Sequence, residues 1–131
     1  MGTAWREIYT FSPGFSRARP YPYPQQGASK LPSDLFGTTD GYVKVFCGAA
    51  TLGKTSVRKD TVNPWWEEEF AHFQAQENEV LRLEVYDSDL VFDDLLGVCQ
   101  RQMQLGTHQH DCYLEKGGTL HYSYTLGQES Q

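Results

Sequence analysis

The acidic loop at residues 87–94 restricts the possible folds of this chain more than any other stretch. Residues 80–86 alternate apolar and charged side chains, which is typical of a strand with one buried face, and an apolar run resumes at Leu95. The loop between these runs contains four aspartates: Asp87, Asp89, Asp93 and Asp94. Such a loop can be an ordinary solvated turn, because Asp favours turns through local backbone hydrogen bonds. Carboxylates crowded at one compact site also repel one another, so the alternative is that they hold hard cations.

The centre of the same loop is apolar. Leu90, Val91 and Phe92 follow one another there, and a loop offers them no obvious core to enter. These side chains can pack against one another, but solvent-exposed apolar clusters usually mark a binding surface. The sequence therefore predicts that this tip enters something apolar outside the protein.

A second loop, at residues 31–40, repeats this combination of acids and apolar side chains. It holds Asp34 and Asp40, with Leu35 and Phe36 at its tip. Two such loops in one chain favour a cation site over two unrelated solvated turns. We expect both loops to meet at one pole of the fold, where divalent ions neutralise the acids and the apolar tips point outwards.

The rest of the chain consists of short β-type runs separated by turns at intervals of roughly ten residues. No stretch has the pattern of a long helix. This rhythm predicts an all-β fold, an antiparallel β-sandwich of two sheets. The predicted strands are 42–47, 54–60, 67–73, 80–86, 95–102, 111–114 and 119–125, with turns at 48–53 and 106–110 and a hairpin signal at 116–118.

The N-terminal residues 1–26 have a different texture. Pro and Tyr alternate at residues 20–24, and proline removes hydrogen-bond donors from a sheet, so this segment is predicted to be an irregular extended arm. Residues 5–11 could form a short strand within it. The arm is either a plain linker or a ligand for a protein partner. Residues 27–131 are predicted to be the folded domain.

Charge and motif content exclude several functions. The net charge of −6 argues against nonspecific nucleic-acid binding, which needs Lys and Arg to neutralise phosphates. No apolar run is long enough to span a membrane, and the first residues have no signal-peptide core. No catalytic triad, phosphate-binding glycine loop or zinc motif is visible, so an enzyme is not predicted.

The cysteines and histidines give weaker signals. The three cysteines, an odd number, fit no zinc spacing, and Cys47 is predicted to pack as a small apolar residue. His108 and His110 could face one side of an extended segment. Solvated histidines are favoured over a metal site, since no third ligand lies nearby in the sequence.

Three segments together resemble the signatures of the C2 domain family, in order and at suitable distances. They are Asp34-x5-Asp40-Gly-Tyr-Val-Lys-Val, Asn63-Pro64-x-Trp66 followed by Phe70, and Val85-Tyr-Asp-Ser-Asp-x4-Asp94-Leu-Leu-Gly97. The resemblance covers about residues 27–126. Within the family, the perforin branch is the most similar, through residues 92–97, Cys99, Cys112 and residues 120–124.

The resemblance implies calcium-dependent binding to phospholipid membranes, through loops at one end of an eight-stranded sandwich. Asp34 and Asp40 match the family's calcium ligands in the first loop, and Asp87 and Asp89 match the pair in the third loop. The last ligand of the third loop falls on Asp93 or Asp94, because this loop is one residue shorter than is usual in the family. Residues 35, 36 and 90–92 would then contact the membrane.

The perforin likeness also implies a disulfide between Cys99 and Cys112. A disulfide indicates an oxidising, extracellular setting and would suit a secreted immune effector; two reduced thiols in a cytoplasmic C2 domain are the alternative. The alternative function is a protein-interaction module with structural calcium, and a lectin-like calcium site is a third. The sequence does not fix the oligomeric state.

Overall fold

The computed structural model describes residues 6–9, 27–29, 31, 39–66 and 68–128, which form eight strands and no helix. Their bounds are β1 Arg6–Tyr9, β2 Gly27–Ser29, β3 Gly41–Cys47, β4 Ala50–Lys54, β5 Val80–Asp87, β6 Asp94–Gln102, β7 Gly106–Tyr113 and β8 Thr119–Gln128. The prediction of an all-β, antiparallel architecture is confirmed. Among the described residues, no helix is long and apolar enough to cross a lipid bilayer.

The strands form two antiparallel sheets. The first has the order β4-β3-β5-β6. In the second, β8 pairs with β7 along one edge, and with β1 and then β2 along the other. The arm therefore contributes a strand, since β1 lies within the predicted range 5–11 and extends the sheet at β8.

The core lies on the inner faces of these sheets. Alternate residues of β3 and β5 are buried, as the predicted alternation requires, and β8 supplies a matching buried row. The side chains of these three strands that form the core cluster are Val43, Val45, Cys47, Leu81, Leu83, Val85, Leu120, Tyr122, Tyr124 and Leu126. Trp66 is fully buried and donates its indole N–H to the Ser56 carbonyl at 2.9 Å.

Two predicted strands are wrong. In place of a strand at 54–60, the chain leaves the sheet after Lys54 and contacts β3 at separate points. The Val43 amide donates to Thr55 Oγ1 at 2.9 Å, and Arg58 forms an isolated antiparallel β-bridge with Gly41. Residues 68–73 also form no strand. Phe70 instead lies over Gly53, where an added Cβ would come within 3.0 Å of its ring.

Two predicted turns are also wrong in extent. The turn at 48–53 is shorter than expected, because β4 begins at Ala50. The turn at 106–110 belongs to β7, which pairs with β8 from Gly106↔Leu126 to Tyr113↔Thr119. Polar residues dominate this edge strand, so its alternation has little apolar contrast and the sequence pattern concealed it. The hairpin after β7 is confirmed, since the Leu114 amide donates to the Gly118 carbonyl at 2.9 Å.

A β-bulge in β6 contacts the turn between β7 and β8, which belongs to the other sheet. Val85 pairs with Gly97 and Tyr86 with Leu95, so Leu96 is the extra residue of a bulge. The Leu96 carbonyl accepts the Lys116 amide at 3.0 Å, from the turn between β7 and β8. A Cβ added to Gly97 would lie 2.9 Å from Leu114 side-chain atoms and 3.0 Å from the Glu115 amide nitrogen. Only glycine permits this close approach.

Gly97→Ala should therefore destabilise the fold by about 1–3 kcal/mol, the typical cost of overpacking. Chemical denaturation measures this as a lower midpoint with an unchanged slope. Gly127→Ala is the matched control, because no atom lies within 4 Å of a Cβ added there. Equal stability of Gly97→Ala and the parent protein would contradict the close contact.

Candidate metal centre

The pairing of β3 with β5 brings acids from the first and third loops together. Gly41 lies opposite Asp87, so Asp40 stands beside the end of β5. The Asp40 amide donates to Asp87 Oδ1 at 2.9 Å, and the Ser88 amide donates to the Asp40 carbonyl at 2.8 Å. The Asp60 amide also donates to Asp40 Oδ1, at 2.7 Å. Three chain segments therefore meet at Asp40.

Asp93, in the third loop, has contacts with β3 and with Asp89. The Tyr42 hydroxyl donates to Asp93 Oδ2, and the Asp89 amide donates to Asp93 Oδ1 at 3.2 Å. We call Asp40, Asp87, Asp89 and Asp93 the acidic pole. Its members are linked to one another, or to neighbouring strand residues, by short backbone and side-chain contacts.

Asp94 has a different partner. Its Oδ1 accepts the Lys116 ammonium group at 2.8 Å, and Lys116 belongs to the turn between β7 and β8. Both side chains are about half exposed, so the ion pair contributes little stability but occupies the carboxylate. The sequence left Asp93 and Asp94 as alternatives: Asp93 accepts the Asp89 amide, and Asp94 lies opposite Asp87 in the pairing of β5 with β6.

The surroundings of Asp93 favour its ionised form. The hydrogen bond from Tyr42 is the main cause of a lowered pKa of the Asp93 carboxyl, followed by the Asp89 amide, with smaller help from Lys44 and Lys54. Burial is the main cause of a raised pKa of Tyr42, and the hydrogen bond to Asp93 adds to it. The phenol therefore stays protonated and donates, while the carboxylate keeps its charge for a cation.

Aromatic and cationic side chains support Tyr42. Its ring stacks on Tyr86 with 5.4 Å between centroids. The Lys44 ammonium lies 4.6 Å from the Tyr86 ring centre, and Lys54 lies 5.7 Å from that of Tyr42. These contacts fix the phenol that orients Asp93. No sequence pattern indicated this role, because Tyr42 resembles any other aromatic residue of a strand.

The apolar tip beside the acids faces solvent. The exposed fractions of Leu90, Val91 and Phe92 are 100%, 75% and 80%. Side chains this exposed do not bury one another. Asp34, Leu35 and Phe36, the predicted counterparts in the first loop, lie outside the described residues.

Cys99 and Cys112 lie in different sheets, on β6 and β7. Their Cα atoms are 6.2 Å apart, within the usual range for a disulfide, and the structure joins their sulfur atoms. This bond crosses from one sheet to the other. Cys47 is the free cysteine of the described residues and is buried.

A second set of ligating side chains lies at the other end of β3. One ligand atom from each of Cys47, His72 and Glu79 falls within 4.8 Å of the other two. Sequence reasoning missed this set, because the three residues are distant in the chain and follow no short metal-binding motif. Only the fold brings them together.

Comparisons with known proteins identify relatives of this chain. The family profile of the C2 domain matches residues 25–117. A C2 domain-containing protein of Arabidopsis thaliana is 38% identical over 103 residues, which cover 72% of this chain and 14% of that protein. Perforin-1 of Homo sapiens is 39% identical over 87 residues, which cover 64% of this chain and 16% of perforin-1. The chain thus spans a small part of the length of these relatives.

A solved structure described as the structure of a C2 domain is also similar. It is 58% identical and superposes with a TM-score of 0.80. The match covers 92% of this chain and 97% of that one. The likeness therefore extends over nearly the whole of both chains.

Proposed function

Because the chain belongs to the C2 domain family, we propose that it is a calcium-dependent module for peripheral binding to phospholipid membranes. The observation that carries this proposal is the position of the exposed tip 90–92 directly between ligand-type acids of the acidic pole. Calcium takes six to eight oxygen ligands with flexible geometry, which carboxylates and backbone carbonyls supply. The proposed calcium ligands are Asp40, Asp87, Asp89 and Asp93, completed by Asp34 of the first loop.

Calcium changes the charge of this surface. Without the ion, the clustered carboxylates repel anionic phospholipid headgroups at short range. With calcium bound, the local charge moves towards neutral or positive, and lipid phosphate oxygens can fill open positions on the ion. The ion thus acts as a bridge between protein and headgroup, and it permits the tip to approach the bilayer.

The apolar tip supplies most of the proposed binding energy. Burial of a side chain such as Leu90 or Phe92 contributes about 1.5–3 kcal/mol each when it is complete. Leu35 and Phe36 would add to this from the first loop. Exposed salt bridges contribute about 0–1 kcal/mol each, so insertion outweighs any single surface charge contact.

The cellular setting is a further part of the proposal. The likeness to perforin-1 supports an extracellular protein, a membrane-targeting part of an immune effector, with a disulfide between Cys99 and Cys112. Disulfides persist in oxidising compartments, so this bond and a secreted location support each other. A cytoplasmic module with two reduced thiols is the opposing outcome.

Sedimentation with phosphatidylserine-containing vesicles tests the calcium bridge. The protein should pellet with vesicles in calcium and return to the supernatant with EDTA. Asp93→Asn should weaken calcium affinity by on the order of tenfold, because affinity depends on the number of charged ligands. Asp94→Asn is the matched control: it makes the same chemical change one residue away and should bind calcium like the parent.

Binding to vesicles that is indifferent to EDTA would refute the calcium bridge. A larger loss of calcium affinity from Asp94→Asn than from Asp93→Asn would show that Asp94, and not Asp93, is the ligand. Calcium binding without any vesicle binding would favour the alternative, a protein-interaction module in which calcium is structural.

Insertion of the tip has its own test. The double variant Leu90→Ser/Phe92→Ser should weaken vesicle affinity by about tenfold or more, which corresponds to a loss of about 1.4 kcal/mol or more of binding free energy. Its calcium titration should stay unchanged. Leu105→Ser/Phe73→Ser is the control, since both side chains are exposed, at 45% and 61%, but belong to other loops. Equal vesicle affinity of the two double variants would eliminate insertion.

The disulfide is tested by intact mass after alkylation in denaturant. Without reduction, one thiol should react, that of Cys47, and with prior reduction all three cysteines should react. Protein secreted from an oxidising compartment is the sample to use. Alkylation of all three cysteines without reduction would contradict the bond and favour the cytoplasmic alternative.

A further inference from the structure

The set Cys47, His72 and Glu79 lies far from the acidic pole. Cys47 ends β3 and pairs with Leu81, and Glu79 immediately precedes β5. Since β3 has seven residues, its two ends are roughly 20 Å apart at about 3.3 Å per residue. The set is therefore separate from the proposed calcium site.

The three side chains converge from different segments. Their ligand atoms all lie within 4.8 Å of one another, and the Cys47 thiol donates to Glu79 Oε1 with 3.6 Å between sulfur and oxygen. Cys47 is 1% exposed, while His72 and Glu79 are half-buried. A buried sulfur with two half-buried ligands leaves one side open to solvent.

The surrounding backbone fixes the Glu79 carboxylate. The Gln76 amide donates to Glu79 Oε1 at 2.9 Å, and the Met103 amide donates to the Glu79 carbonyl at 2.9 Å. Gly48 has a φ of 57°, and an added Cβ there would lie 2.8 Å from Glu79 Oε2. The glycine thus provides the space that lets the carboxylate reach the end of β3.

The chemistry of the set selects a particular ion. Thiolate, imidazole and carboxylate are the ligands of zinc, with bonds of about 2.0–2.3 Å, which place neighbouring ligand atoms roughly 3.3–3.6 Å apart in a tetrahedron. The observed separations, which are at most 4.8 Å, need to close by up to about 1.5 Å to reach that geometry. Calcium prefers oxygen ligands only, so it would compete poorly here.

We propose that Cys47, His72 and Glu79 bind one zinc ion, with the fourth coordination position open to water. On binding, the Cys47 thiol releases its proton to solvent, as a metal-ligating thiol must. The ion joins the irregular segment containing His72 to the end of β3 and the start of β5. It stabilises that end of the sandwich, because a ligand that binds only the folded state raises its stability.

Zinc titration against a chromophoric chelator tests the site on the whole chain, with the disulfide intact. One equivalent should bind, and excess calcium should not displace it. Cobalt substitution should give a tetrahedral spectrum with a thiolate charge-transfer band, which reports Cys47 without altering the core. His72→Asn and Glu79→Gln should each weaken zinc binding by roughly 100-fold, since loss of even an outer-shell partner costs about 10- to 100-fold.

A matched control uses the other histidine pair. The rings of His108 and His110 lie 6.4 Å apart on β7, and His108→Asn/His110→Asn should leave zinc affinity unchanged. The proposal is overturned if the parent protein binds no zinc, or if the cobalt complex lacks a thiolate band. It is equally overturned if zinc binding survives in both single variants and is lost in the His108/His110 double variant.

Discussion

The antiparallel register between β3 and β5 is the constraint on which the rest of the structure depends. It sets Gly41 opposite Asp87 at one end and Cys47 opposite Leu81 at the other. At the first end, acids from two loops far apart in sequence meet. At the second end, a buried thiol approaches a carboxylate that precedes β5. A shift of one residue would move every buried side chain of β3 to the wrong face and separate both sets.

Crowded carboxylates cost free energy in the absence of a cation, and the fold limits that cost locally. Backbone amides of residues 40, 60 and 89 each donate to an aspartate oxygen, and the Tyr42 hydroxyl donates to Asp93. These donors hold the acids in place without neutralising them. The result is a concentration of negative charge beside an apolar tip that faces solvent.

The sequence predicted the features that follow from local pattern and failed where tertiary contacts decide. Alternation located β3, β5, β6 and β8, and the repeated acidic loops indicated one pole. The contacts that distinguish Asp93 from Asp94 depend on the fold, because Tyr42 approaches from β3 and Lys116 from the turn between β7 and β8. The first half of β7 was missed because a polar edge strand lacks apolar contrast. The set of Cys47, His72 and Glu79 was missed because these residues are distant in the sequence and meet only after folding.

The most direct measurement is a crystal structure of the calcium-soaked protein with anomalous scattering. We expect calcium peaks coordinated by Asp40, Asp87, Asp89 and Asp93, with Asp94 still paired to Lys116 and the tip 90–92 projecting past the ions. Anomalous peaks elsewhere on the molecule, or an acidic pole that stays free of calcium at saturating concentration, would contradict this expectation.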